Sequence, residues 1–243
     1  MAGHSKWNNI QKTKGAQDAK RAKIFTKVSR EIIVAVKEGG SADPDNNSRL
    51  AAAVAKAKAA NMPNDNIKRA IEKGAGSGAG DSYDNISYEG YGPSGVAVIV
   101  EAMTDNRNRT ASEVRHYFDK YGGNLGASGC VSWSFDKKGL IIIDNQDKKL
   151  SEDEIMMEAL DAGAEDFENL GEAFEITTTP EDFQAVFNAL EKSSYSFLSA
   201  QVELVPQNYI KLTDENDIKN MQKMLDMFED NDDIQEVYHN WEE

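Results

Sequence analysis

Apolar residues at helical spacing mark the first ordered stretch of the chain. Residues 16–38 contain neither proline nor glycine, and Phe25, Val28, Ile32 and Val36 recur three or four positions apart. This spacing places the four side chains on one face of an α-helix. The pattern therefore predicts a helix that buries this face in a hydrophobic core.

Cations follow the same spacing on the neighbouring face. Lys20, Lys23, Lys27 and Arg30 are three or four positions apart, so they form one row along the predicted helix. We call these four residues the cation row. Such a row is either an ordinary solvated helix face or a surface that binds a polyanion.

Two shorter helices are predicted next. Asp43 followed by Pro44 is a cap residue with proline at the first helical position, and it predicts a helix over residues 44–60. Asn64 is expected to cap a third helix over residues 65–73. The glycine-rich stretch that follows is typical of a flexible linker.

The pattern changes to strands after this linker. Residues 86–91 and 96–103 predict a β-hairpin, and residues 130–135 predict another strand. Between them, the capping pattern of Thr110 and Glu113 predicts the start of a helix. This stretch therefore predicts one half of an α/β domain.

The following stretch carries the complete element order of a ferredoxin-like domain, β-α-β-β-α-β. Its strands are predicted over residues 139–144, 166–168, 172–178 and 199–205, and its helices over residues 151–162 and 179–191. The tail repeats half of that order, with strands over residues 209–212 and 234–238 around a helix over residues 214–228. Because this half has no partner of its own, we expect it to complete the sheet begun by residues 96–135.

These elements predict an α+β protein with three domains. The N-terminal domain, residues 1–80, contains the three helices and the glycine-rich linker. Residues 81–137 and 207–243 form a discontinuous ferredoxin-like α/β domain, and residues 138–206 form a second ferredoxin-like α/β domain inserted into it. Insertions of this kind are tolerated where chain termini lie close together.

Charge is distributed unevenly along the chain. The net charge is −15 and the pI is about 4.7. Residues 1–80 hold 15 Lys and Arg against 7 Asp and Glu, whereas residues 81–243 hold 12 against 35. A basic end on an acidic chain is typical of contact with nucleic acid or a membrane surface. We expect a polyanion to bind at the N-terminal end, away from the acidic remainder.

The composition argues against a secreted or membrane protein. The single cysteine, Cys130, cannot form an intramolecular disulfide or supply a multi-cysteine zinc site. No apolar run approaches the roughly 20 residues that span a bilayer, and the first residues are polar rather than signal-like. We therefore expect a cytoplasmic protein without a membrane partner.

The sequence also lacks patterns of catalysis and metal binding. His4, His116 and His239 lie in three different elements, without the spacing of metal ligands. No serine lies in a nucleophile-elbow pattern, and the acidic run over residues 229–233 is interpreted as a solvated helix end. The sequence therefore predicts no enzyme, no cofactor, no metal and no small-molecule substrate.

Two loops need a choice between interpretations. The glycine-rich residues 122–129 lead from a helix into a strand, whereas a phosphate-binding loop leads from a strand into a helix. We therefore interpret them as a helix stop and connection. Residues 105–110 place Arg107 and Arg109 before a predicted helix. They are either an exposed loop with capping side chains or a second phosphate contact near the positive end of the helix.

The segment before the first helix adds further candidates. Trp7 either stacks on a nucleobase or packs this segment onto the helical domain. The predicted nucleic-acid-binding residues are Lys6, Trp7, Lys12, Lys14, Lys20, Arg21, Lys23, Lys27, Arg30, Arg107 and Arg109.

Six short motifs occur together in the chain. They are AGHSKW at residues 2–7, DAKRAKIF at 18–25, MPNDNI at 62–67, YEGYGP at 88–93, TDNRNRT at 104–110 and GGNLG at 122–126. With these motifs, essentially the whole chain resembles the YebC/PmpR family of transcriptional regulatory proteins, which includes mitochondrial translational activators of cytochrome oxidase.

The resemblance implies a helical domain followed by two α/β domains, in a cytoplasmic, non-enzymatic regulator of gene expression that binds nucleic acid. It implies either a DNA-binding transcription regulator or a ribosome-associated translation factor that contacts ribosomal RNA. A protein adaptor that uses the acidic α/β surface is a third hypothesis, and it leaves the basic end without a role. The charges of the cation row favour contacts with phosphates over recognition of base sequence.

Overall fold

A computed structural model describes residues 17–76, 83–147, 149–193 and 195–242, without the side chains of residues 17–21 and Ala59. Its α-helices and strands, in chain order, are α1 (Gln17–Gly39), α2 (Ser48–Ala59), α3 (Asn64–Ala75), β1 (Asp84–Tyr91), β2 (Ala97–Thr104), α4 (Arg107–Lys120), β3 (Asn124–Leu125), β4 (Phe135–Asp144), α5 (Glu152–Asp161), β5 (Asp166–Asn169), β6 (Ala173–Thr178), α6 (Phe183–Lys192), β7 (Phe197–Pro206), β8 (Ile210–Lys211), α7 (Glu215–Asp230), β9 (Ile234–His239) and β10 (Trp241–Glu242). The chain has the predicted α+β fold.

The first three helices share one hydrophobic core. Val28, Ile32 and Val36 of α1 are buried in it together with Leu50 of α2, as the apolar spacing predicts. Gly74 of α3 lies close to α1, because a Cβ atom at this position would come within 2.8 Å of the Val36 Cβ. Glycine therefore lets α3 approach α1 closely, and it lies inside the helix instead of ending it.

The second helix begins later than the sequence predicts. Asp43 and Pro44 start only a 3-10 turn, in which the Asp43 side chain accepts a hydrogen bond from the Asp45 amide. The α2 helix is capped instead by Asn47, whose side chain accepts from the Leu50 amide and donates to the carbonyl of Ala35. Asn47 is a better cap for α2 than Asp43, because its side chain bonds to the α2 terminus and to a carbonyl of α1 at once.

The third helix also begins differently from the prediction. Pro63 occupies the cap position of α3 without a side-chain hydrogen bond, and Asn64 is the first residue of the helix. The Pro63 carbonyl accepts hydrogen bonds from the amides of Asn66 and Ile67. The predicted Asn64 cap is therefore wrong by one position.

The first sheet combines strands from distant parts of the chain. Its order is β3-β1-β2-β9, and all pairings are antiparallel. Helices α4 and α7 meet in its core, where the rings of Phe118 and Phe228 pack edge to face at 5.4 Å. The C-terminal β9 thus pairs with β2, as expected for a domain interrupted by an insertion.

The second sheet contains the four strands of the predicted ferredoxin-like order. Its strand order is β5-β6-β4-β7, again antiparallel throughout. Residues of α5 and α6 cover one face, where Ile141 and Phe174 pack against Ile155 and Val186. Ser151 caps α5 through the Glu154 amide, as the capping pattern predicts.

Three predicted elements around these sheets are wrong. Helix α4 begins at Arg107 with Asn106 as its cap, so Thr110 lies within the helix. Residues 130–135 form no continuous strand, because β4 begins only at Phe135. Strand β8 pairs in parallel with β10, so the short β3 completes the first sheet instead.

The described residues form two compact units. The first contains the residues up to Val131 together with Leu212–His239, and the second contains Ser132–Lys211 together with the residues from Asn240 onwards. The three N-terminal helices therefore belong to the same unit as the first sheet. The three-domain division made from the sequence stays a prediction.

Among the helices that the structure describes, each is too short or too polar to cross a bilayer.

Candidate nucleic-acid interface

Three members of the cation row face a negatively charged turn of their own unit. This turn, residues 229–233, joins α7 to β9, and we call it the acidic turn. Lys23 lies 2.5 Å from a carboxylate oxygen of Asp230. The Lys27 ammonium donates to the carbonyl of Glu229 at 3.3 Å. The cation row is therefore occupied, over this part of its length, by carboxylates and carbonyls of the same chain.

Arg30 makes the most extensive contacts of the row. Its Nη1 donates to the Asp233 carboxylate at 2.7 Å and to the carbonyls of Asp232 and Met103 at 2.8 and 3.2 Å. The guanidinium also lies over the Tyr83 ring, 5.3 Å from its centroid. Only 18% of the Arg30 side chain is exposed. Arg30 therefore connects α1 to β2 and to the acidic turn.

Asp233 is the common acceptor at this junction. Its buried carboxylate accepts hydrogen bonds from Arg30, Arg109, Thr104 and Thr110 at 2.6–3.1 Å. Burial alone would raise the pKa of Asp233, but the hydrogen bonds from Arg109 and Arg30 lower it to about 2. Asp233 therefore stays ionised and joins α1, β2 and α4. The interpretation of residues 229–233 as a solvated helix end is wrong for Asp233, because its carboxylate is buried and hydrogen-bonded.

Lys27 is held in a partly desolvated position. Burial lowers its pKa, and the nearby carboxylates of Glu236, Glu229 and Asp232 oppose this effect. Lys27 is therefore partly desolvated, with acidic groups of the same unit around it.

A second lysine strengthens the same junction. Lys56 of α2 lies 2.8 Å from Glu31 of α1 and 3.1 Å from Glu236 of β9. Burial alone lowers the pKa of Lys56, but these two carboxylates raise it above its usual value. No pattern in the sequence places Lys56 beside Glu236, because the two residues are far apart in the chain.

The two arginines of the 105–110 loop differ in their surroundings. Arg109 contacts Asp233 at 2.6 Å and Asp105 at 2.9 Å, and hydrogen bonds to these carboxylates raise its pKa. Arg107 is more open, with 65% of its side chain exposed and its Nε 3.6 Å from Asp84. Arg109 therefore fixes the start of α4, whereas Arg107 faces solvent.

The remaining predicted residues lie outside the described side chains. Lys6, Trp7, Lys12 and Lys14 precede the first described residue. Lys20 and Arg21 belong to α1, but their side chains are not described.

Three further cations on the helical region were not selected from the sequence. Lys58 near the end of α2 and Lys68 and Arg69 of α3 are exposed. Within the described ranges, they make no ion pair with an acidic side chain. They lie on two different helices and form no row along either one, so the spacing of cations in the sequence does not single them out.

The glycine-rich loop binds an acid of its own chain. Glu89 of β1 is buried, and its carboxylate accepts hydrogen bonds from the amides of Gly129 and Val131 at 2.8 and 2.9 Å. Tyr91 donates its hydroxyl to the Cys130 carbonyl at 3.0 Å. Amides that could face a phosphate therefore face Glu89, which agrees with a connecting role for this loop.

The described part of the structure contains no candidate metal site. Among the residues that the structure describes, no group of three or more His, Cys, Asp or Glu side chains could hold a metal ion. His116 lies exposed on α4 and His239 lies buried on β9, whereas His4 lies outside the described residues.

Comparisons with known proteins agree over the whole chain. The model of the TACO1/YebC protein N-terminal domain matches residues 5–77, and the model of the TACO1/YebC second and third domain matches residues 83–241. A crystal structure of a conserved hypothetical protein from Aquifex aeolicus has a TM-score of 0.83 and 47% identity, covering 93% of this chain and 91% of that chain.

Relatives with similar sequences carry a regulatory name. The chain is 59% identical over 241 residues to a probable transcriptional regulatory protein of Acetivibrio thermocellus, covering 99% of both proteins. It is 60% identical over 234 residues to one of Clostridioides difficile, covering 96% of this chain and 97% of the relative. These names support a regulatory role. The resemblance in the sequence is confirmed, and the chain belongs to the TACO1/YebC family.

Proposed function

We propose that this protein is a non-enzymatic, cytoplasmic regulator of transcription that binds DNA through its basic N-terminal domain. The observation that carries the proposal is the separation of charge, with 15 cations against 7 acids in residues 1–80 and 12 against 35 in the remainder. Because phosphate contacts dominate the affinity of proteins for nucleic acid, a polyanion is attracted to this end. No cofactor, membrane or small-molecule substrate enters the proposal.

The cations of this domain divide into two groups. Lys23, Lys27 and Arg30 donate to the acidic turn, and in this proposal they hold α1 in place beside any nucleic acid. The direct contacts are assigned to the segment before α1, to its first turns and to the exposed helical cations. These residues are Lys6, Trp7, Lys12, Lys14, Lys20, Arg21, Lys58, Lys68 and Arg69.

A ribosome-associated translation factor that contacts ribosomal RNA is the second candidate. The occupied face of α1 favours it, because a recognition helix must place its side chains freely in a major groove. The excess of acids in residues 81–243 also repels the flanks of a long duplex. A folded RNA can offer phosphates locally while the acidic part of the protein remains outside.

Filter binding at physiological salt separates these two candidates. The probes are a defined promoter fragment, a scrambled duplex of equal length and purified ribosomes. The transcription proposal expects the promoter to bind about a thousandfold more tightly than the scrambled duplex, within the usual range of specific recognition. Equal, weak binding of both duplexes together with tight binding of ribosomes would replace it with the translation candidate. A protein that binds none of the three probes would refute both.

A further inference from the structure

The inference concerns the face of the second sheet that lies opposite α5 and α6. Side chains of directly paired residues share a face, so the pairing of Glu175 with Glu168 and with Ile142 places these three side chains together. Alternation along β4 and its pairing with β7 add Leu140 and Glu203 to the same face. We call this surface, which carries Glu168, Glu175 and Glu203, the acidic face.

The centre of the acidic face is buried. Glu175 and Leu140 are each 2% exposed, and Ile142 is fully buried. Among the described residues, the apolar cluster on this face contains only residues of the sheet itself and of the turn between β5 and β6. A sheet face becomes this dry when a further segment of chain packs on it. The acidic face therefore needs a covering segment.

Glu175 has an unpaired oxygen atom in this dry surface. Within the described ranges, its buried Oε2 has no hydrogen-bond partner. Burial raises the pKa of Glu175 to about 7, and the nearby carboxylates of Glu168, Glu203 and Asp166 add to this effect. Buried polar atoms in folded proteins are nearly always hydrogen-bonded. The covering segment is therefore expected to bring a donor to Glu175.

The chain that follows β7 borders the same surface. Burial raises the pKa of Tyr209, and the nearby carboxylates of Glu175 and Glu168 raise it further. The acidic face is thus lined by four strands and by the segment after them.

The chemistry of the acidic face excludes one candidate for the covering segment. Outside the described ranges, residues 1–16 and 77–82 are the two segments longer than one residue. Residues 77–82 contain neither a cation nor a large apolar side chain, and they include Asp81. They would therefore add negative charge beside the glutamates.

Residues 1–16 have the complementary composition. They contain three lysines and no acidic residue, and Trp7 and Ile10 provide apolar side chains for the cluster around Leu140. In extended form, 16 residues reach about 50 Å. This length is ample to cross four strands spaced about 4.8 Å apart.

We propose that residues 1–16 dock on the acidic face, with a lysine of this segment donating to Glu175. This inference rests on the proposed function, in which the lysines of the same segment contact nucleic acid. Docking and nucleic-acid binding then compete, because the same ammonium groups serve both. The acidic face therefore holds the basic segment until a phosphate backbone displaces it.

Carbodiimide crosslinking of the full chain, read by mass spectrometry, tests the docking in the absence of nucleic acid. The reagent joins a lysine to a carboxylate that it contacts, and we expect links from residues 1–16 to the acidic face. The pair of Lys23 and Asp230, 2.5 Å apart, shows that the reaction works. Exposed Asp153 and Glu154 on α5 are the control carboxylates. Failure of the expected links while Lys23 is linked to Asp230 would overturn the inference, as would equal yields at the control carboxylates.

A mixture of ¹⁵N-labelled and unlabelled chains identifies which copy supplies the segment. Links whose two peptides always carry the same label support docking within one chain. Links between labelled and unlabelled peptides would assign the acidic face to residues 1–16 of a second copy and overturn docking within the chain.

The competition is tested by nucleic-acid affinity. The double variant Glu168→Gln/Glu175→Gln is compared with Asp153→Asn/Glu154→Gln, which removes the same charge from exposed positions on α5. If the segment is docked in about nine molecules of ten, its release should tighten the apparent affinity for the promoter or ribosome about tenfold. The control variant should change this affinity little, and equal gains in both variants would overturn the competition.

The two readouts separate failure of this inference from failure of the proposed function. If nucleic acid binds but the crosslinks do not form, the docking is refuted alone. If the crosslinks form but neither the promoter nor the ribosome binds, the docking is supported and the proposed function is refuted.

Discussion

Asp233 shows how one residue can determine the arrangement of several elements. It receives hydrogen bonds from side chains of α1, β2 and α4, although the sequence places it in a run of acids that reads as solvent-exposed. Such a role cannot be read from a local pattern, because Arg30 and Arg109 are distant in the chain. By contrast, the apolar spacing of Val28, Ile32 and Val36 predicted the buried face of α1 correctly.

Replacement of Asp233 by asparagine should destabilise the first unit strongly. Breaking a buried ion pair typically costs about 3–5 kcal/mol, because the remaining charges lose their partner. We expect a loss of about 3 kcal/mol in urea unfolding at neutral pH. Asp230→Asn is the matched control, since it removes an exposed ion pair worth less than about 1 kcal/mol. Equal losses for the two variants would contradict the role of Asp233.

The low pKa of Asp233 also predicts a pH dependence. Because its pKa is depressed to about 2 in the folded protein, against about 3.9 for an unfolded aspartate, its contribution is fully present above the unfolded value. This contribution is lost as the pH falls from about 4 towards 2. The melting temperature of the wild type should therefore fall more steeply over this range than that of Asp233→Asn. Parallel curves for the two proteins would show that Asp233 has no depressed pKa.

At the scale of elements, the existence of the helices was predictable, but the starts of α2, α3 and α4 were not. Asp43 with Pro44 has the local sequence of a helix start, yet α2 begins after Asn47. The Asn47 side chain also donates to the carbonyls of Ala35 and Ser41, which belong to the end of α1 and the turn after it. Tertiary contacts of this kind decide between neighbouring cap candidates. The same reason explains why Thr110 does not begin α4: its hydroxyl bonds to Asp233.

Asn47→Ala should therefore cost more than an ordinary cap substitution. Loss of an N-cap side chain costs about 1 kcal/mol, and loss of the side-chain hydrogen bonds to the carbonyls of Ala35 and Ser41 adds a further cost. We expect about 2 kcal/mol of destabilisation in thermal or urea unfolding. Asp43→Ala serves as the control and should change stability by less than about 0.5 kcal/mol, because it caps only a 3-10 turn. A larger effect at Asp43 would favour the original sequence prediction.

At this scale, the cation row contacts a part of the chain that its spacing does not reveal. The sequence correctly places Lys23, Lys27 and Arg30 on one face, but it cannot show that the acidic turn lies opposite. Helical periodicity reports which residues share a face and carries no information about the partner of that face. The exposed Lys58, Lys68 and Arg69 were not selected from the sequence, because they share no helical row.

At the scale of the whole molecule, the inserted order of elements was predictable from repeated β-α-β patterns. The pairing of β2 with the C-terminal β9 agrees with that order. The tail strand β8 was predicted in the first sheet, but it pairs with β10 instead. The prediction failed because a strand of two residues shows almost no pattern of apolar and polar positions. The boundaries of the three predicted domains are testable on their own.

Removal of the inserted strands and helices tests the domain division. Phe135 and Pro206 are opposite residues in the pairing of β4 with β7, so a short Gly-Ser connection can replace residues 138–206 without stretching the chain. We expect the shortened protein to melt cooperatively, because the first sheet and the three N-terminal helices keep their contacts. Circular dichroism melting measures this. A featureless, non-cooperative transition would contradict the predicted insertion.

The salt dependence of nucleic-acid binding tests the central claim most directly. The probe that binds the wild type most tightly, promoter or ribosome, is titrated against a variant with Lys12, Lys14, Lys20 and Arg21 changed to Gln. The control changes Lys137, Lys211, Lys219 and Lys223, four exposed cations elsewhere, to Gln. For duplex DNA, loss of four phosphate contacts should reduce the slope of log affinity against log salt by about 3.6 units, and by less for single strands. The account predicts this reduction for the N-terminal variant and an unchanged slope for the control. An unchanged slope in the N-terminal variant, or equal reductions in both, would contradict binding through the basic N-terminal domain.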